Sequence, residues 1–273
     1  MAWRGLSFSH VWIAGGAGWT AWASWKLFSP GADALPWCLW IAVSTGLGYT
    51  VQRAIKHRFD PSSLPPMRRE FWRRYGTAMA AGWTALWAAF TAGFWDALDI
   101  QSRVALVSAL AVLGILYAVV PGTRRGLRAH PALKIPLIAT AWALATTPDL
   151  ADVGLFASRW LLIAGLTLPF DVRDLAVDLS RIRTVPMVWG ARNSLRLSVT
   201  LLVASSLCFW AHLPPQQAGF TGLVVGAQGL LAAGIVALPW TATSLQFGSE
   251  SEREWTTGLV LDGVLWLPLF TAL

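Results

Sequence analysis

The chain has 273 residues, of which 55% are hydrophobic and 13% are charged, and its net charge is +7. A soluble domain carries about 25% charged residues, so this composition excludes an ordinary water-soluble enzyme. The two cysteines, Cys38 and Cys208, both lie in apolar runs, which excludes a disulfide scaffold and a cysteine-based metal site. Eighteen tryptophans stand against three tyrosines, and tryptophan concentrates at membrane–water interfaces.

Apolar stretches of about one membrane span, roughly 20 residues, follow one another along the whole chain. Polar, proline or arginine clusters separate them. The sequence predicts nine spans: 9–28, 34–55, 75–95, 103–120, 135–148, 155–172, 194–213, 220–240 and 255–272. The first ten residues lack a charged segment leading to a small-residue cleavage site, so we expect the first span to be retained. We therefore expect one all-α domain over residues 1–273, a polytopic nine-helix transmembrane bundle.

The basic residues collect on one side of these nine spans. Only Lys26, Arg103 and Arg159 fall on the side away from the N-terminus, and the other 18 of the 21 lysines and arginines share its side. Positive residues stay cytoplasmic, so we expect a cytoplasmic N-terminus in a bacterial inner membrane. The net charge then reflects membrane orientation and an attraction to anionic lipid headgroups or phosphates. We expect no nucleic-acid partner.

Three acids stand at the cytoplasmic end of the sixth span, in the segment LPFDVRDLAVDLSRIRTVPMVWG of residues 168–190. Asp171, Asp174 and Asp178 are spaced to share one helix face. They lie at the negative end of the helix dipole, so something cationic must offset them. One interpretation is local arginine, at positions 173, 181 and 183. The other is Mg²⁺, a hard cation that prefers oxygen ligands and in turn holds substrate phosphates.

The same segment resembles a motif of the UbiA superfamily of intramembrane prenyltransferases. DVRDLAVDLSRIRTVPMVWG looks like the second aspartate-rich motif of that family, followed by an Arg-Thr-x-Pro stretch and a glycine. Those positions are Arg183, Thr184, Pro186 and Gly190. HPALKIP at 130–136 resembles the family's Pro-x-x-Lys element, and LDG at 261–263 resembles the Asp-Gly of its last span. The resemblance covers most of the chain.

This resemblance implies an all-helical bundle around a central lipid-lined cavity. It also implies transfer of a prenyl chain from its diphosphate to a hydrophobic acceptor, with Mg²⁺ held between two aspartate-rich motifs. By resemblance, the metal-binding and catalytic residues are Asp171, Asp174 and Asp178. The residues expected on the substrate are Arg53, Lys56, Lys134 and Arg183. Membrane lipids, a prenyl diphosphate or another hydrophobic ligand, and a membrane-complex partner are the expected partners.

The first aspartate-rich motif departs from the family pattern. The family carries Asn-Asp-x-x-Asp-Arg-x-x-Asp at the end of span two, where this chain reads GYTVQRAIK. Gly48 stands at the asparagine, and Tyr49, Gln52 and Lys56 stand at the acids, so only Arg53 is kept. Two interpretations follow. One is a divergent prenyltransferase with at most one Mg²⁺, and the other is a catalytically silent membrane subunit or a holder of lipid, quinone or pigment.

The remaining polar residues receive simpler interpretations. The histidines lie in loops or near span ends, where solvation is the expected role: His10, His57, His130 and His212. Asp262, inside the last span, either pairs with a polar group of the bundle or faces the cavity. The segment 59–74, rich in proline and arginine, is predicted to be a lid or strap over the cavity mouth, or a solvated basic face. The segment 248–255 is predicted to be an exposed acidic loop.

Overall fold

The structure, a computed structural model, describes residues 8–31, 33–59, 61, 64–98, 106–112, 131–149, 151–175 and 184–271. Helices account for most of these ranges, and no strand occurs within them. The predicted all-α class is therefore confirmed. The count of nine spans stays a prediction, because most of the fourth, 103–120, lies outside the described residues.

The first half of the described chain forms six helices. They are α1 (Val11–Phe28), α2 (Leu35–Phe59), α3 (Pro66–Gly93), α4 (residues 106–112), α5 (Pro131–Thr146) and α6 (Val153–Arg173). The helix α3 begins well before the predicted span 75–95, because Pro66 is suited to the first helical position and starts the helix there. Residues 66–74 of the segment 59–74 are thus the first turns of α3, and whether they cover the cavity mouth stays a prediction.

The second half begins with a short helix and continues to the last span. The helices are α7 (Val185–Trp189), α8 (Ala191–His212), α9 (Phe220–Gly226), α10 (Gln228–Ala237), α11 (Pro239–Phe247) and α12 (Glu250–Trp255). After α12 the chain continues through a π-helical turn, Thr256–Leu261, and a 3₁₀ helix, Val264–Thr271. We call residues 256–271, which include Asp262 between these two parts, the terminal segment.

Side-chain caps fix the start of two helices. Asp152 precedes α6 and accepts a hydrogen bond from the backbone nitrogen of Leu155 at 2.8 Å. Ser249 and Glu252 form a capping box at the start of α12. The hydrogen bond from the backbone nitrogen of Ser249 lowers the pKa of the Glu252 carboxyl, which lies outside the spans. Residues 250–255 are therefore helical, and the prediction of an exposed acidic loop is wrong there.

Three stretches are long and apolar enough to cross a membrane by length and composition: Val153–Arg173, Ala191–His212 and the joined Phe220–Ala237. The two helices α6 and α8 pack closely through small residues. Ser158 and Ser205 each donate a hydrogen bond to the other's carbonyl oxygen, at 3.0 and 2.9 Å. Ser198 donates to the carbonyl oxygen of Gly165 at 2.7 Å. Small residues let helix backbones approach in this way inside a membrane.

A buried polar network joins four parts of the bundle. Arg159 of α6, only 2% exposed, donates to Ser24 Oγ of α1 and to Gln228 Oε1 of α10, both at 3.0 Å. Gln228 Nε2 donates in turn to the carbonyl oxygen of Val264 in the terminal segment, at 3.2 Å. The sequence predicts Arg159 among the basic residues of the non-cytoplasmic side. The structure buries it within the bundle, where its partners are neutral side chains.

The contacts between helices arrange the bundle around a central space. The helix α1 lies against α2, α5 and the terminal segment. The helix α6 packs between α5 and α8, and α10 packs between α8 and the 3₁₀ part of the terminal segment. The helices α1, α2, α5 and α6 and the terminal segment thus face one another across the interior.

Candidate functional site

A cavity of about 380 Å³ occupies the central space. Its walls come from α1, α2, α4, α5, α6 and the terminal segment, with one residue from α3. The cytoplasmic side of the predicted topology holds the C-terminal ends of α2 and α6 and the N-terminal ends of α3 and α5. The polar lining residues come mostly from those four helix ends, so they collect at one end of the cavity.

We call this set of lining residues the polar end. Its members are His10, Tyr49, Gln52, Arg53, Lys56, Arg68, Lys134, Asp171, Arg173, Asp174 and Asp262. The remaining walls are mainly apolar and include Ile41, Val107, Leu110, Ile138, Trp142 and Leu166. Since an α-helix rises 1.5 Å per residue, Ile41 lies roughly 18 Å along α2 from Arg53. The cavity is therefore polar at one end and apolar over much of its length.

The two described acids of the predicted metal site are each held by a cation. Asp171, 1% exposed, forms an ion pair with Lys134 Nζ. Asp174 receives two hydrogen bonds from Arg173, at 2.7 Å from Nε and 3.1 Å from the terminal nitrogen. The sequence leaves local arginine and Mg²⁺ as alternatives for neutralising these acids. In the structure, Lys134 neutralises Asp171 and Arg173 neutralises Asp174.

A second group of charges links α3, α6 and α12 beside the polar end. Arg68 donates a hydrogen bond to Glu254 Oε2, and Arg173 Nη1 lies 3.6 Å from the same oxygen. Arg173 also donates to Thr257 Oγ1 at 2.8 Å. Glu254 is 1% exposed, so its charge is balanced by two buried guanidinium groups rather than by water.

Two charged residues of the polar end differ from these pairs. Within the part of the chain that the structure describes, neither Arg53 nor Asp262 makes a hydrogen bond or an ion pair. The Nε atoms of Arg53 and Arg68 are both buried, and neither has an acceptor among the described residues. Asp262 lines the cavity, which selects the cavity-facing one of its two predicted roles. Arg53 and Asp262 are thus a cation and a carboxylate of the polar end that no described residue engages.

His10 is a site residue that the sequence does not indicate. It is 6% exposed and lines the cavity, so the predicted solvation of this histidine is wrong. Its Nδ1 lies 3.2 Å from Thr50 Oγ1, and its ring is 5.7 Å from that of Tyr49 and 5.9 Å from that of Trp72. The backbone of His10 is left-handed, with φ at 64°, which a residue with a side chain seldom adopts.

The structure brings together five of the residues predicted from sequence. Arg53, Lys56, Lys134, Asp171 and Asp174 all line the polar end. Asp178 and Arg183 lie outside the described residues. Whether Asp171, Asp174 and Asp178 bind a metal ion stays a prediction.

Sequence reasoning named Arg173 among the arginines that could offset the acids, but it did not identify Arg68 and Glu254 as partners at the site. The Ser-x-x-Glu pattern at 249–252 is a signal for a helix start, and it would have indicated that the acids at 250–255 belong to a helix.

The described residues do not by themselves fit an Mg²⁺ site. Mg²⁺ needs several oxygen ligands in near-octahedral geometry, whereas Asp171 and Asp174 are ion-paired and no acid stands at 49, 52 or 56. Over the described ranges, no group of three or more histidine, cysteine, aspartate or glutamate side chains could hold a metal ion.

Solved structures of similar fold provide the comparison with known proteins. A UbiA homolog from Archaeoglobus fulgidus bound to GPP and Mg²⁺ superimposes with a TM-score of 0.61 at 15% identity, over 96% of this chain and 100% of that one. The UbiA homolog from Archaeoglobus fulgidus bound to DMAPP and Mg²⁺ gives a TM-score of 0.58 at 16% identity, over 97% and 100%. A digeranylgeranylglyceryl phosphate synthase gives 0.53 at 13% identity, over 99% and 98%.

These likenesses extend over nearly the whole of each chain. No family model and no curated protein matches the sequence. At such low identity the comparison establishes the fold: this chain has the fold of the UbiA homologs, and that fold together with its apolar helices makes it a membrane protein.

Proposed function

We propose that this chain is a single UbiA-like transmembrane domain over residues 1–273 that binds a prenyl diphosphate and transfers its prenyl chain to a hydrophobic acceptor. One observation carries the proposal: the cavity joins a cation-rich polar end to a long apolar section. A prenyl diphosphate has the same division between an anionic head and an apolar chain. The UbiA homologs of this fold bind GPP or DMAPP, which supports the same class of ligand here.

In the proposed reaction, the bond between the first carbon of the prenyl chain and the diphosphate oxygen breaks, and the diphosphate leaves with both bonding electrons. Arg53 and Lys56 offset the negative charge that develops on it. The same carbon forms a new bond to the acceptor, which loses a proton. The apolar walls around Trp142 and Ile138 hold the chain and exclude water, which would otherwise trap the activated carbon.

Asp262 is the group that we assign to the acceptor. Its carboxylate lines the cavity and has no hydrogen bond with any residue that the structure describes. It can accept a hydrogen bond from a hydroxyl or amine of the acceptor and take up the proton lost on transfer. Tyr49 lies one turn before Arg53 on α2 and contributes to the same wall. Diphosphate and acceptor thus have separate charged partners.

A transfer assay tests the proposal. Purified protein in lipid nanodiscs is given labelled geranyl diphosphate and an extract of membrane lipids, and released diphosphate and labelled lipid-soluble product are both measured. We expect product from the native chain and a loss of at least about 100-fold for Arg53→Leu, because one lost donor to a developing anion costs about that much. Arg58→Leu is the matched control, since Arg58 lies on the same helix and is exposed outside the cavity.

The second candidate is a catalytically silent bundle that holds a lipid, quinone or pigment, or serves as a membrane subunit. The ion pairs of Asp171 with Lys134 and of Asp174 with Arg173 favour it, because they engage carboxylates that a metal would need. In the same assay this candidate predicts bound geranyl diphosphate or lipid with no released diphosphate. Turnover that Arg53→Leu abolishes and Arg58→Leu preserves would contradict it.

A further inference from the structure

We infer that the polar end binds the diphosphate group directly through Arg53 and its neighbouring cations, without a divalent metal ion. The inference rests on the proposed function, since it concerns the same ligand in the same cavity. It differs from the situation in the UbiA homologs of this fold, which are bound to Mg²⁺ together with GPP or DMAPP.

The first step of the argument concerns the carboxylates. Asp171 is buried against Lys134, and both oxygens of Asp174 accept hydrogen bonds from Arg173. A metal ion entering here would have to displace Lys134 from the buried Asp171 and Arg173 from Asp174, whose side chain is 32% exposed. Breaking a buried pair leaves an uncompensated charge, which is strongly unfavourable. Mg²⁺ also sheds its water reluctantly, so these carboxylates are poor ligands in the arrangement observed.

The second step concerns the opposite wall, which α2 provides. Tyr49, Gln52 and Lys56 recur on one helix face at intervals of three and four residues, and all of them line the cavity. Two of these side chains are neutral and the third is a cation. The wall that faces Asp171 and Asp174 therefore supplies no carboxylate to complete a metal site among the described residues, and it adds positive charge.

The third step concerns guanidinium nitrogens that have no acceptor among the described residues. Arg53 makes no ion pair among the described residues, and its Nε is buried without an acceptor. Arg68 is 8% exposed and lines the cavity, and its Nε also lacks an acceptor within the described ranges. A buried N–H that makes no hydrogen bond is costly. The planar set of donors of a guanidinium matches the oxygens of a phosphate group, so an anionic ligand would satisfy both side chains.

The test measures geranyl diphosphate binding to the purified protein by calorimetry, once in EDTA and once in excess Mg²⁺. We expect dissociation constants that agree within about threefold, because the cations that bind the head belong to the chain. In EDTA, Arg53→Leu should weaken binding at least about tenfold, whereas Arg58→Leu should leave it unchanged. Arg53→Lys should recover part of the loss, since it keeps the charge and loses the planar set of donors.

The possible outcomes separate this inference from the proposed function. Binding that requires Mg²⁺ overturns the inference and leaves the proposed function intact. No binding in either buffer contradicts both. Equal weakening by Arg53→Leu and Arg58→Leu also overturns the inference, because it would indicate a diffuse surface charge. Melting curves of each variant without ligand identify unfolded protein. Arg53→Gln, which keeps a polar side chain without the charge, replaces Arg53→Leu if the latter does not fold.

Discussion

Asp262 stands apart from the other acids around the cavity because its carboxylate has no partner among the described residues. If it receives the proton of the acceptor, Asp262→Asn should lower the turnover rate at least about 100-fold, the lower part of the range for a positioned base. The dissociation constant for geranyl diphosphate should stay the same. Single-turnover kinetics and calorimetry measure the two quantities. Asp96→Asn, at an exposed position, is the control, and an equal effect of both changes would contradict the role.

The residues at 49, 52 and 56 allow the metal requirement itself to be changed. Replacing Tyr49, Gln52 and Lys56 together by aspartate puts three acids on the α2 wall, opposite Asp171 and Asp174. We expect Mg²⁺ to raise the affinity of this variant for diphosphate at least about tenfold, or about 1.4 kcal/mol, by calorimetry. The same three positions changed to asparagine provide a control of equal size without the charge. A triple aspartate variant that is indifferent to Mg²⁺ would show that the remaining carboxylates cannot join a metal site.

At the scale of elements, the contact between α8 and α10 depends on a glycine. A Cβ at Gly229 would lie 2.2 Å from the carbonyl oxygen of Leu202, which belongs to the backbone of α8 and cannot move aside cheaply. Gly229→Ala should therefore separate the two helices and lower the melting temperature by several degrees, since overpacking costs about 1–3 kcal/mol.

Gly234 provides the matched control on the same helix, because a Cβ there meets nothing within 4 Å. Gly234→Ala should leave the melting temperature unchanged or raise it, since alanine favours helix more than glycine does. Thermal unfolding in detergent, followed by tryptophan fluorescence, compares the two. A lower melting temperature for Gly234→Ala than for Gly229→Ala would contradict the close approach of α8 and α10.

The helices were largely predictable from the sequence, whereas their partners were not. Hydrophobic runs of span length set α1, α2, α6 and α8 within a few residues, because burying an apolar run in a membrane dominates local structure. The ion pair of Arg68 with Glu254 joins residues 186 positions apart. Nothing in the local pattern at either position indicates the other, because such a pair depends on how distant helices pack.

Within the candidate site, too, the positions of residues could be predicted from the sequence, but their side-chain partners could not. The positions of Arg53, Lys56, Lys134, Asp171 and Asp174 at one end follow from the alternating direction of successive spans, so the sequence could predict that they meet. The sequence could not predict that Asp171 pairs with Lys134, 37 positions away, because the pair depends on side-chain length and burial in the folded bundle. The left-handed backbone of His10 has no sequence signal either, and the rings beside it, Tyr49 and Trp72, come from other helices.

At the scale of the whole molecule, the distribution of positive charge predicts the orientation. We expect the N-terminus and the segments around 56–74, 121–134 and 173–194, which include helix ends, on the cytoplasmic side. In a background without Cys38 and Cys208, a cysteine at Arg125 should react with a membrane-impermeant maleimide only after the cells are opened. A cysteine at Gln216, which lies after α8 at an exposed position, should react in intact cells. Labelling of position 125 from outside would contradict the topology.

The π-helical turn Thr256–Leu261 sets the direction of the side chains that follow it. A π turn contains one residue more than the α-helical turn that it replaces, so the chain here carries a surplus residue between Glu254 and Asp262. Each residue of an α-helix advances the side chains by about 100°, and deleting Val260 would rotate everything beyond it by that angle. Glu254 would still reach Arg68, but Asp262 would turn away from the cavity. The surplus residue thus sets the angle between Glu254 and Asp262. With it, Glu254 faces Arg68 and Asp262 faces the cavity.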